Sequence, residues 1–301
     1  MTNLAFIMSA SHSGSTLLAF LIGSHPQATT IGDTAGTPLR NRPGYRCSCG
    51  ALARDCPFWL DVKHAMEARG FTFDITDFGT RFEMPERPVV ARTLRAEHRG
   101  PVLEAVRDCV LSASPAWRTH FADIARRTTA LVETVLEQTG ARVLVDSSKQ
   151  PHRLKFLLRV PGLRVKVIHL VRDGRGVVHT YLHDNNWSVK RSAEEWRRGV
   201  RSARRLLARL DPNQWIQVRY EDYCADPIGA IKRIATFLDL DPNAVNLDFR
   251  AADLHVFGNK MRMADEPRIL LDEHWKTDLT DDDIRTVRSI AGRELQRYGY
   301  A

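Results

Sequence analysis

The stretch L-A-F-I-M-S-A-S-H-S-G-S-T-L-L, residues 4–18, decides the fold of this chain of 301 residues. Its first five apolar residues predict a strand buried on both faces, as in a parallel sheet covered by helices. Small residues then permit a tight turn, and a helical pattern follows at residues 16–23. Such a turn can direct successive backbone N–H groups and the positive end of a helix dipole at an anion. The stretch therefore predicts an anion-binding loop, with a plain turn capped by serines as the alternative.

Further strand–turn–helix units follow the first one. Apolar runs rich in β-branched residues predict strands at residues 142–145, 165–171 and 215–220, and a short strand ends at Asp33 in T-T-I-G-D. Helical patterns lie at residues 104–112, 116–138, 151–160, 176–184, 226–238 and 281–298. This alternation predicts an α/β fold of three layers, with a central parallel β-sheet flanked by helices.

One segment, from about residue 36 to residue 99, interrupts the alternation. It is rich in Pro, Gly, Arg and Cys, and its periodicity is poor. We interpret it as an irregular insertion within a single domain that spans residues 1–301. We expect the insertion to lie over the carboxyl edge of the sheet, where α/β folds bind ligands, and to shape part of an acceptor site.

Composition limits the class of protein without deciding it. The formal net charge is +8 and the pI about 9.5, which favours an anionic partner. Many of the arginines, however, lie at residues 197–209 in a pattern typical of a solvated helix face. The chain shows no secretory signal, no apolar run long enough to span a membrane, and an odd number of cysteines, five. We therefore expect a cytoplasmic protein with no membrane span.

The first loop differs from the nucleotide-hydrolase loop G-x-x-x-x-G-K-[ST]. When the two are aligned on Gly14, Ser15 stands in place of the lysine and Ser9 in place of the first glycine. Without that lysine, the charge between the β- and γ-phosphates is not compensated. A kinase of small metabolites therefore stays only as the alternative function. A nucleic-acid-binding protein is a third hypothesis, which no aromatic–basic motif supports.

A second anion site is predicted in V-R-D-G-R-G-V-V-H-T, residues 171–180. Arg172 ends a strand, and Thr180 lies eight residues later on the following helix. An arginine offers a bidentate fork to phosphate oxygens, and a threonine adds a neutral donor. The alternative is a structural ion pair between Arg172 and Asp173.

Four segments in this order resemble the sulfotransferases that use 3′-phosphoadenosine-5′-phosphosulfate (PAPS). They are S-H-S-G-S-T-L-L at 11–18, V-I-H-L-V-R-D-G-R-G-V-V-H-T at 167–180, V-R-Y-E-D-Y-C-A-D-P at 218–227 with T-F-L-D-L after it, and H-V-F-G-N-K-M-R at 255–262. The resemblance covers residues 6 to about 275. It implies a P-loop-like α/β fold and transfer of a sulfuryl group from PAPS to a hydroxyl or amine acceptor by in-line displacement. The product would be 3′-phosphoadenosine-5′-phosphate (PAP), and no metal would be required.

The resemblance also assigns roles to residues. Arg172 and Thr180 would hold the 3′-phosphate, and Tyr220 would either stack near the adenine or simply pack. A late loop with Gly258, Asn259 and Arg262 would cover the nucleotide. The 5′-phosphosulfate would be held by Ser11, His12, Ser13, Gly14, Ser15 and Thr16.

His12 departs from the pattern of the family, which usually has Lys or Arg at this position. A histidine supplies a full charge only when it is protonated, and its ordinary pKa is about 6.5. Either the bound dianion keeps His12 protonated, or Lys149 in D-S-S-K acts on the bridging oxygen while His12 only donates a hydrogen bond. We favour the role for Lys149, because it follows a strand that ends at the same edge of the sheet.

Two residues are candidates for the general base that removes the proton of the acceptor. Asp33 resembles the acidic residue that acts as base in several groups of the family, although a turn aspartate is the alternative. His152 is the second candidate, since other branches use a histidine nearby. We favour Asp33, and we expect Asp146 to order the D-S-S-K turn.

The cysteines at residues 47, 49 and 56 cluster in C-S-C-G and C-P-F-W. Three thiols with no obvious fourth ligand do not predict a zinc site. We expect these residues to pack beneath the acceptor loop, with a redox-sensitive pair as the alternative. The acceptor itself, a small molecule or a glycan, is not specified by the sequence, and neither is the oligomeric state.

Overall fold

The structure, a computed structural model, describes residues 2–35, 42, 44–83, 101–258, 260–263 and 269–300. Within these ranges five strands form one parallel sheet with the order β2-β3-β1-β4-β5. The strands are β1 Thr2–Ser9, β2 Ala28–Gly32, β3 Val143–Lys149, β4 Leu163–Val171 and β5 Trp215–Arg219. The chain proceeds from β1 to one side of the sheet and later to the other, which places a topological switch point at the carboxyl end of β1.

Helices cover both faces of this sheet. They are α1 Ser15–Gly23, α2 Pro57–Ala68, α3 Pro101–Ala113, α4 Pro115–Thr139, α5 Pro151–Leu157, α6 Gly174–Asn185, α7 Val189–Leu207, α8 Tyr220–Ala225, α9 Pro227–Phe237, α10 Trp275–Asp278 and α11 Asp281–Arg297. The predicted α/β fold with a central parallel sheet flanked by helices is confirmed. Among the described helices, none combines the length and the apolar character needed to cross a bilayer.

The central strand β1 is buried on both faces, as its sequence predicts. Leu4, Phe6 and Met8 point to the face covered by α2, α4 and α5. Ala5 and Ile7 point to the face covered by α1 and α9. Each of these five side chains is at most 1% exposed. Because burial of one large apolar side chain stabilises the fold by about 1.5–3 kcal/mol, this strand anchors both layers.

Strand β3 and helix α2 are two of the elements that differ from the sequence prediction. Strand β3 continues to Lys149 instead of ending at residue 145, because the polar residues of its last part find internal partners: the N–H of Ser148, for example, donates to Asp146 Oδ1 at 2.8 Å. The predicted irregular insertion contains helix α2, which begins with Pro57 at its first position and buries one face. Proline at the first helical position and apolar residues at 59, 62 and 66 are signals from which this helix could have been predicted.

The arginine-rich stretch at residues 197–209 begins within α7, as a helix face exposed to solvent. Trp196 and Val200 are buried against the protein, whereas Arg198 and Arg204 are exposed. Arg201 forms an ion pair of 2.5 Å with Glu294 on α11. Most of this positive charge therefore lies away from the cavity described below.

A late segment of the chain crosses the end of β2 at Gly32. The N–H of Phe257 donates to Ile31 O at 3.2 Å, and Gly32 pairs with Phe257 in a parallel bridge. Gly32 has a φ of 82°, and a Cβ at this position would overlap the carbonyl oxygen of Phe257. A glycine at position 32 is therefore needed for the late segment to lie this close to the end of β2, next to Asp33.

We expect Gly32→Ala to destabilise the protein more than Gly162→Ala. Gly162 has a similar φ of 79°, but a Cβ there meets no atom within 4 Å. The left-handed conformation alone costs about 1–2 kcal/mol, and overpacking at Gly32 adds about 1–3 kcal/mol. Urea unfolding of the two variants measures the difference. Equal losses would contradict a close crossing at this position.

Candidate active site

A cavity of about 1010 Å³ opens at the carboxyl ends of β1, β2 and β3. The loop after β1, Asp33, residues 147–149 and residues 256–258 line it. Its volume lies at the upper end of the range for ligand cavities, about 300–1,000 Å³. The cavity has room for a nucleotide together with part of a second substrate, and it lies at the topological switch point of the sheet.

The loop after β1 has the geometry of an anion cradle. His12 and Gly14 adopt left-handed conformations, with φ values of 59° and 84°. Among the described residues, no acceptor receives a hydrogen bond from the backbone N–H groups of residues 12–16. Ser13 Oγ is also buried without a hydrogen-bond partner in the described part of the chain. Unpaired donors at a helix N-terminus fit an oxygen-rich anion.

Two tyrosines hold this loop in place. Tyr223 Oη donates to the carbonyl oxygen of Gly14 at 3.1 Å. A Cβ at Gly14 would clash with Tyr223 and lie 2.7 Å from Tyr220 Cδ2. The cradle therefore depends on a glycine at this position and on α8, which carries both tyrosines.

The imidazole of His12 contacts residues of α6 at the cavity wall. Its Nε2 lies 3.1 Å from Asn185 Oδ1, and its ring meets Tyr181 edge-on with 4.6 Å between centroids. Burial lowers the pKa of His12, and Lys149 and Arg172 lower it further, against opposing contributions from Asn185 and Asp184. His12 is therefore neutral at pH 7 in this arrangement and acts as a hydrogen-bonding group.

Lys149 ends β3 and reaches the same cavity. It adopts a left-handed conformation with a φ of 70°, which is uncommon for a residue with a side chain. Burial lowers the pKa of its ammonium group, and the negative charge of Asp33 partly opposes this. Within the described ranges, Lys149 forms no hydrogen bond or ion pair through its side chain. Its positive charge is therefore available to a negatively charged ligand in the cavity.

Asp33 lines the cavity and belongs to a chain of polar groups behind it. Ser148 Oγ lies 2.5 Å from Asp33 Oδ1 and also contacts Asp146 Oδ1. Its single hydroxyl proton can serve only one of these carboxylates. Asp146 is fully buried, and burial raises the pKa of its carboxyl group against the opposing charge of Arg153. Ser148 therefore connects Asp33, at the cavity, with the buried carboxyl group behind it.

The predicted turn roles are both present in this network. Asp33 Oδ1 accepts a hydrogen bond from the N–H of Ala35 at 2.8 Å. Asp146 Oδ1 accepts one from the N–H of Ser148, and Arg153 Nε lies 3.7 Å from Asp146 Oδ2. Asp33 thus combines a turn contact with exposure to the cavity, and Asp146 orders the D-S-S-K segment.

His152, the other candidate base, points elsewhere. Its Nε2 lies 3.3 Å from Glu83 Oε1, and this hydrogen bond lowers the pKa of Glu83 to about 2. His152 is not among the described residues that line the cavity. The structure therefore brings Asp33, rather than His152, together with the loop and Lys149.

Arg172 stands beside the loop, but its guanidinium already has an acidic partner. One nitrogen donates to His12 O at 2.9 Å, and the other donates to Asp272 Oδ2 at 2.7 Å. Burial opposes ionisation of Asp272, but hydrogen bonds from His274 and Arg172 outweigh it and lower the pKa of this carboxyl to about 2. The alternative partner, Asp173, pairs with Arg175 at 2.7 Å. An internal carboxylate thus occupies the predicted phosphate fork.

Neither Thr180 nor Tyr220 is among the described residues that line the cavity. Thr180 Oγ1 donates to Gly176 O at 3.1 Å within α6. Tyr220 packs its ring 4.5 Å from the guanidinium carbon of Arg172 and donates to Leu270 O at 3.0 Å. Residues 270–272 therefore cover the side chains of Tyr220 and Arg172 on one side.

The late loop joins the cavity from the other direction. Arg262 is buried, donates to Gly258 O at 2.7 Å and lies over the ring of Tyr45 at 4.3 Å. Gly258, Arg262 and Tyr45 all line the cavity, whereas Asn259 lies outside the described residues. Sequence reasoning missed Tyr45 and Arg42 of the predicted insertion, and Tyr181 and Asn185 beside His12. Arg42 and Tyr45 could have been predicted from their place in the insertion, and Tyr181 and Asn185 from their place on the helix that follows the loop after β4.

Comparison with known proteins gives three results. A family model described as the Sulfotransferase family matches residues 81–243, which is more than half of the chain. Carbohydrate sulfotransferase 2 of Homo sapiens is 22% identical over 99% of this chain, which spans 65% of the length of that protein. Two solved structures share the fold. The sulfotransferase domain of the curacin biosynthetic pathway has a TM-score of 0.51 at 16% identity, and the match covers 100% of this chain and 99% of that chain. The sulfotransferase domain of the Synechococcus PCC 7002 olefin synthase has a TM-score of 0.50 at 19% identity, with 96% and 94% covered.

The protonation of His12 can be measured directly. In an NMR pH titration we expect His12 to titrate below the ordinary pKa of about 6.5, and His274 above it because it pairs with Asp272. Lys149→Met should raise the pKa of His12, since it removes a nearby cation. Lys190→Met, at an exposed position on α7, is the control. An unchanged pKa of His12 in Lys149→Met would contradict a shared cavity.

Proposed function

Because this chain belongs to the sulfotransferase family, we propose that it transfers a sulfuryl group from PAPS to a hydroxyl or amine acceptor. The proposed reaction is an in-line displacement that releases PAP. One observation carries the proposal beyond family membership. The loop with unpaired N–H groups lines the same cavity as a carboxylate, Asp33, and the half-buried ammonium group of Lys149.

The N–H groups of residues 12–16 would hold the 5′-phosphosulfate, with the hydroxyls of Ser11, Ser13, Ser15 and Thr16 close by. Unpaired backbone donors suit an anion whose charge is spread over several oxygens. Ser15 stands where a triphosphate loop needs a lysine, so no clamp between β- and γ-phosphates is available in this loop. No feature of the family match favours the kinase alternative.

We assign the stabilisation of the leaving group to Lys149. Negative charge grows on the bridging oxygen when the bond to sulfur breaks, and a desolvated ammonium group stabilises such charge strongly. The lowered pKa also makes Lys149 a better proton donor than an exposed lysine. His12 would donate a hydrogen bond as a neutral imidazole. With these groups in place, the transfer step itself would not need a metal ion.

We assign the general base to Asp33. A base must be ionised and must reach the proton of the acceptor. Ser148 and the N–H of Ala35 both donate to Oδ1 of Asp33. Hydrogen bonds from these two groups orient the carboxylate, so it would remove a proton only from an acceptor placed beside it.

The 3′-phosphate of the nucleotide would bind to Arg172, with Thr180 nearby. For this to happen, the phosphate must replace Asp272 on the guanidinium. A phosphomonoester carries about −1.5 to −2 charges and therefore competes well with one carboxylate. Binding of the nucleotide would thus require residues 270–272 to move away from Arg172 and Tyr220.

The acceptor is proposed only as a class, a small molecule or a glycan. Arg42 and Tyr45, which lie in the predicted insertion, line the cavity on the side where an acceptor would enter. A single domain, the absence of nucleic acid among the partners and a cytoplasmic location remain predictions from the sequence.

Substitution of Arg172 and substitution of Asp272 should change the affinity for PAP in opposite directions. Arg172→Ala should weaken binding by about 10- to 100-fold, as expected for loss of a charged hydrogen bond. Asp272→Asn should tighten it, because the competing carboxylate is removed. Titration calorimetry with PAP measures both values, and ATP with magnesium is the control ligand for the kinase alternative.

A matched ion pair on the surface provides the control variants. Arg285 and Asp282 on α11 lie 3.2 Å apart and are both exposed. Arg285→Ala and Asp282→Asn should leave PAP affinity unchanged. If Arg172→Ala binds PAP as tightly as the wild type, the 3′-phosphate assignment is wrong. If only ATP with magnesium binds, the protein is a kinase.

Asp33→Asn should slow turnover by roughly 10² or more while PAP affinity is kept, because the amide cannot take up a proton. Turnover is measured by mass spectrometry with isotope-labelled PAPS and a panel of sugars, phenols and alcohols. Asp74→Asn is the matched control, since Asp74 Oδ1 accepts the N–H of Thr76 at 2.8 Å in an equivalent turn. A normal rate in Asp33→Asn would transfer the role of base to His152.

A further inference from the structure

Three thiols and one imidazole converge beside the cavity. The ligand atoms of Cys47, Cys49, Cys56 and His255 all lie within 4.8 Å of one another. Cys47 and Cys56 are fully buried, His255 is partly buried and Cys49 is exposed. The sequence shows only the three cysteines as a cluster, because His255 lies 199 residues after Cys56.

Three distances between these atoms are close to those of a tetrahedral metal site. Zn²⁺ binds thiolate sulfur at about 2.3 Å and imidazole nitrogen at about 2.0–2.1 Å, so a tetrahedron has edges of about 3.8 Å between two sulfurs and about 3.6 Å between sulfur and nitrogen. Here Cys49 Sγ and Cys56 Sγ are 3.6 Å apart. His255 Nδ1 lies 3.3 Å from Cys56 Sγ and 3.8 Å from Cys47 Sγ.

The imidazole of His255 is oriented as metal-binding histidines are. Nδ1 faces the thiols, and Nε2 lies 2.9 Å from Asp253 Oδ1. A carboxylate on the second ring nitrogen sets the tautomer and raises the basicity of the ligating nitrogen. Phe58 stacks on the ring with 4.4 Å between centroids and an interplanar angle of 4°, which restricts its rotation.

The backbone around the thiols also suits bound thiolates. Cys47 and Cys49 lie in a tight turn, in which Cys47 N–H donates to Ala51 O and Gly50 N–H donates to Cys47 O, both at 2.9 Å. Cys56 precedes α2 as its N-cap residue, where the positive end of the helix dipole favours negative charge. These features place three sulfurs around one point without requiring any of them to move far.

We propose that Cys47, Cys49, Cys56 and His255 bind one Zn²⁺ ion in a structural site. Four protein ligands close a tetrahedral site and leave no position for substrate, which is the pattern of structural rather than catalytic zinc. The ligand set, three thiolates and one imidazole, favours Zn²⁺ over hard cations such as Mg²⁺ and Ca²⁺.

Such an ion would join two neighbouring segments of the chain to a third that lies about 200 residues later, at the edge of the active site. They are the turn at residues 46–52, the start of α2 and the late segment at residues 253–258. The late segment crosses Gly32 next to Asp33 and contributes Gly258 to the cavity. Ser48 already ties the turn to this segment, since its N–H donates to Val256 O at 3.2 Å. The ion would therefore hold the acceptor side of the cavity in place without taking part in the transfer.

The test is metal analysis of the full chain, purified with reductant from medium supplemented with zinc. We expect one Zn²⁺ per chain in the wild type and in Cys109→Ser, a control at an exposed thiol. Cys56→Ser and the double variant Cys56→Ser/His255→Ala should lose the ion on dialysis against a chelator that leaves it in the wild type.

Titration of metal-free wild-type protein with Co²⁺ covers the case in which the variants do not fold. We expect thiolate-to-cobalt charge-transfer bands and the intense visible bands of tetrahedral cobalt at one equivalent, and zinc should displace them. Neither measurement depends on turnover, so a failure of the proposed sulfuryl transfer would not affect the result.

Any of three outcomes would overturn the proposal. One is reduced wild-type protein that contains no zinc and produces no cobalt bands. Another is one zinc per chain retained in the double variant, which would place the ion elsewhere. A disulfide between Cys49 and Cys56 that persists under the reducing conditions, seen as a loss of two hydrogens in the intact mass, would equally replace the metal site by a redox pair.

Discussion

The backbone donors after β1 can receive an anion only if the chain keeps them unpaired. That requires left-handed conformations at His12 and Gly14, which the loop does not adopt without support. The support comes from two directions: Tyr223 holds the carbonyl oxygen of Gly14, and Arg172 holds that of His12. Arg172 therefore supports the loop that would bind the 5′-phosphosulfate. The same guanidinium pairs with Asp272 at the place where the 3′-phosphate would bind.

The positive charge of Lys149 at the site is available to an incoming anion. Burial lowers the pKa of Lys149, because its ammonium group is poorly solvated without a partner. An anion in the cavity would supply that partner. Asp33 opposes the effect on Lys149, so one carboxylate serves both as the candidate base and as part of the electrostatic balance.

The late segment at residues 253–258 connects the chemistry to the rest of the chain. Gly32 allows it to cross β2, Gly258 and Arg262 line the cavity, and His255 meets the three thiols. A structural ion at that point would explain why a segment so far along the chain can define the wall beside Asp33. The cavity wall beside Asp33 and the proposed metal site thus share the segment at residues 253–258.

Local sequence determined the layered fold, the loop at residues 9–16, and Arg172 and Asp33 at strand ends, because periodicity and strand–turn–helix order are local properties. The tertiary structure alone decided which groups meet. Asp272 lies 100 residues after Arg172, and Ser148 lies 115 residues after Asp33. The order of the strands brings these groups to one edge of the sheet, and no local pattern encodes that order. For the same reason the sequence shows the three clustered cysteines but gives no sign that His255, 199 residues after Cys56, is the fourth ligand of the proposed site.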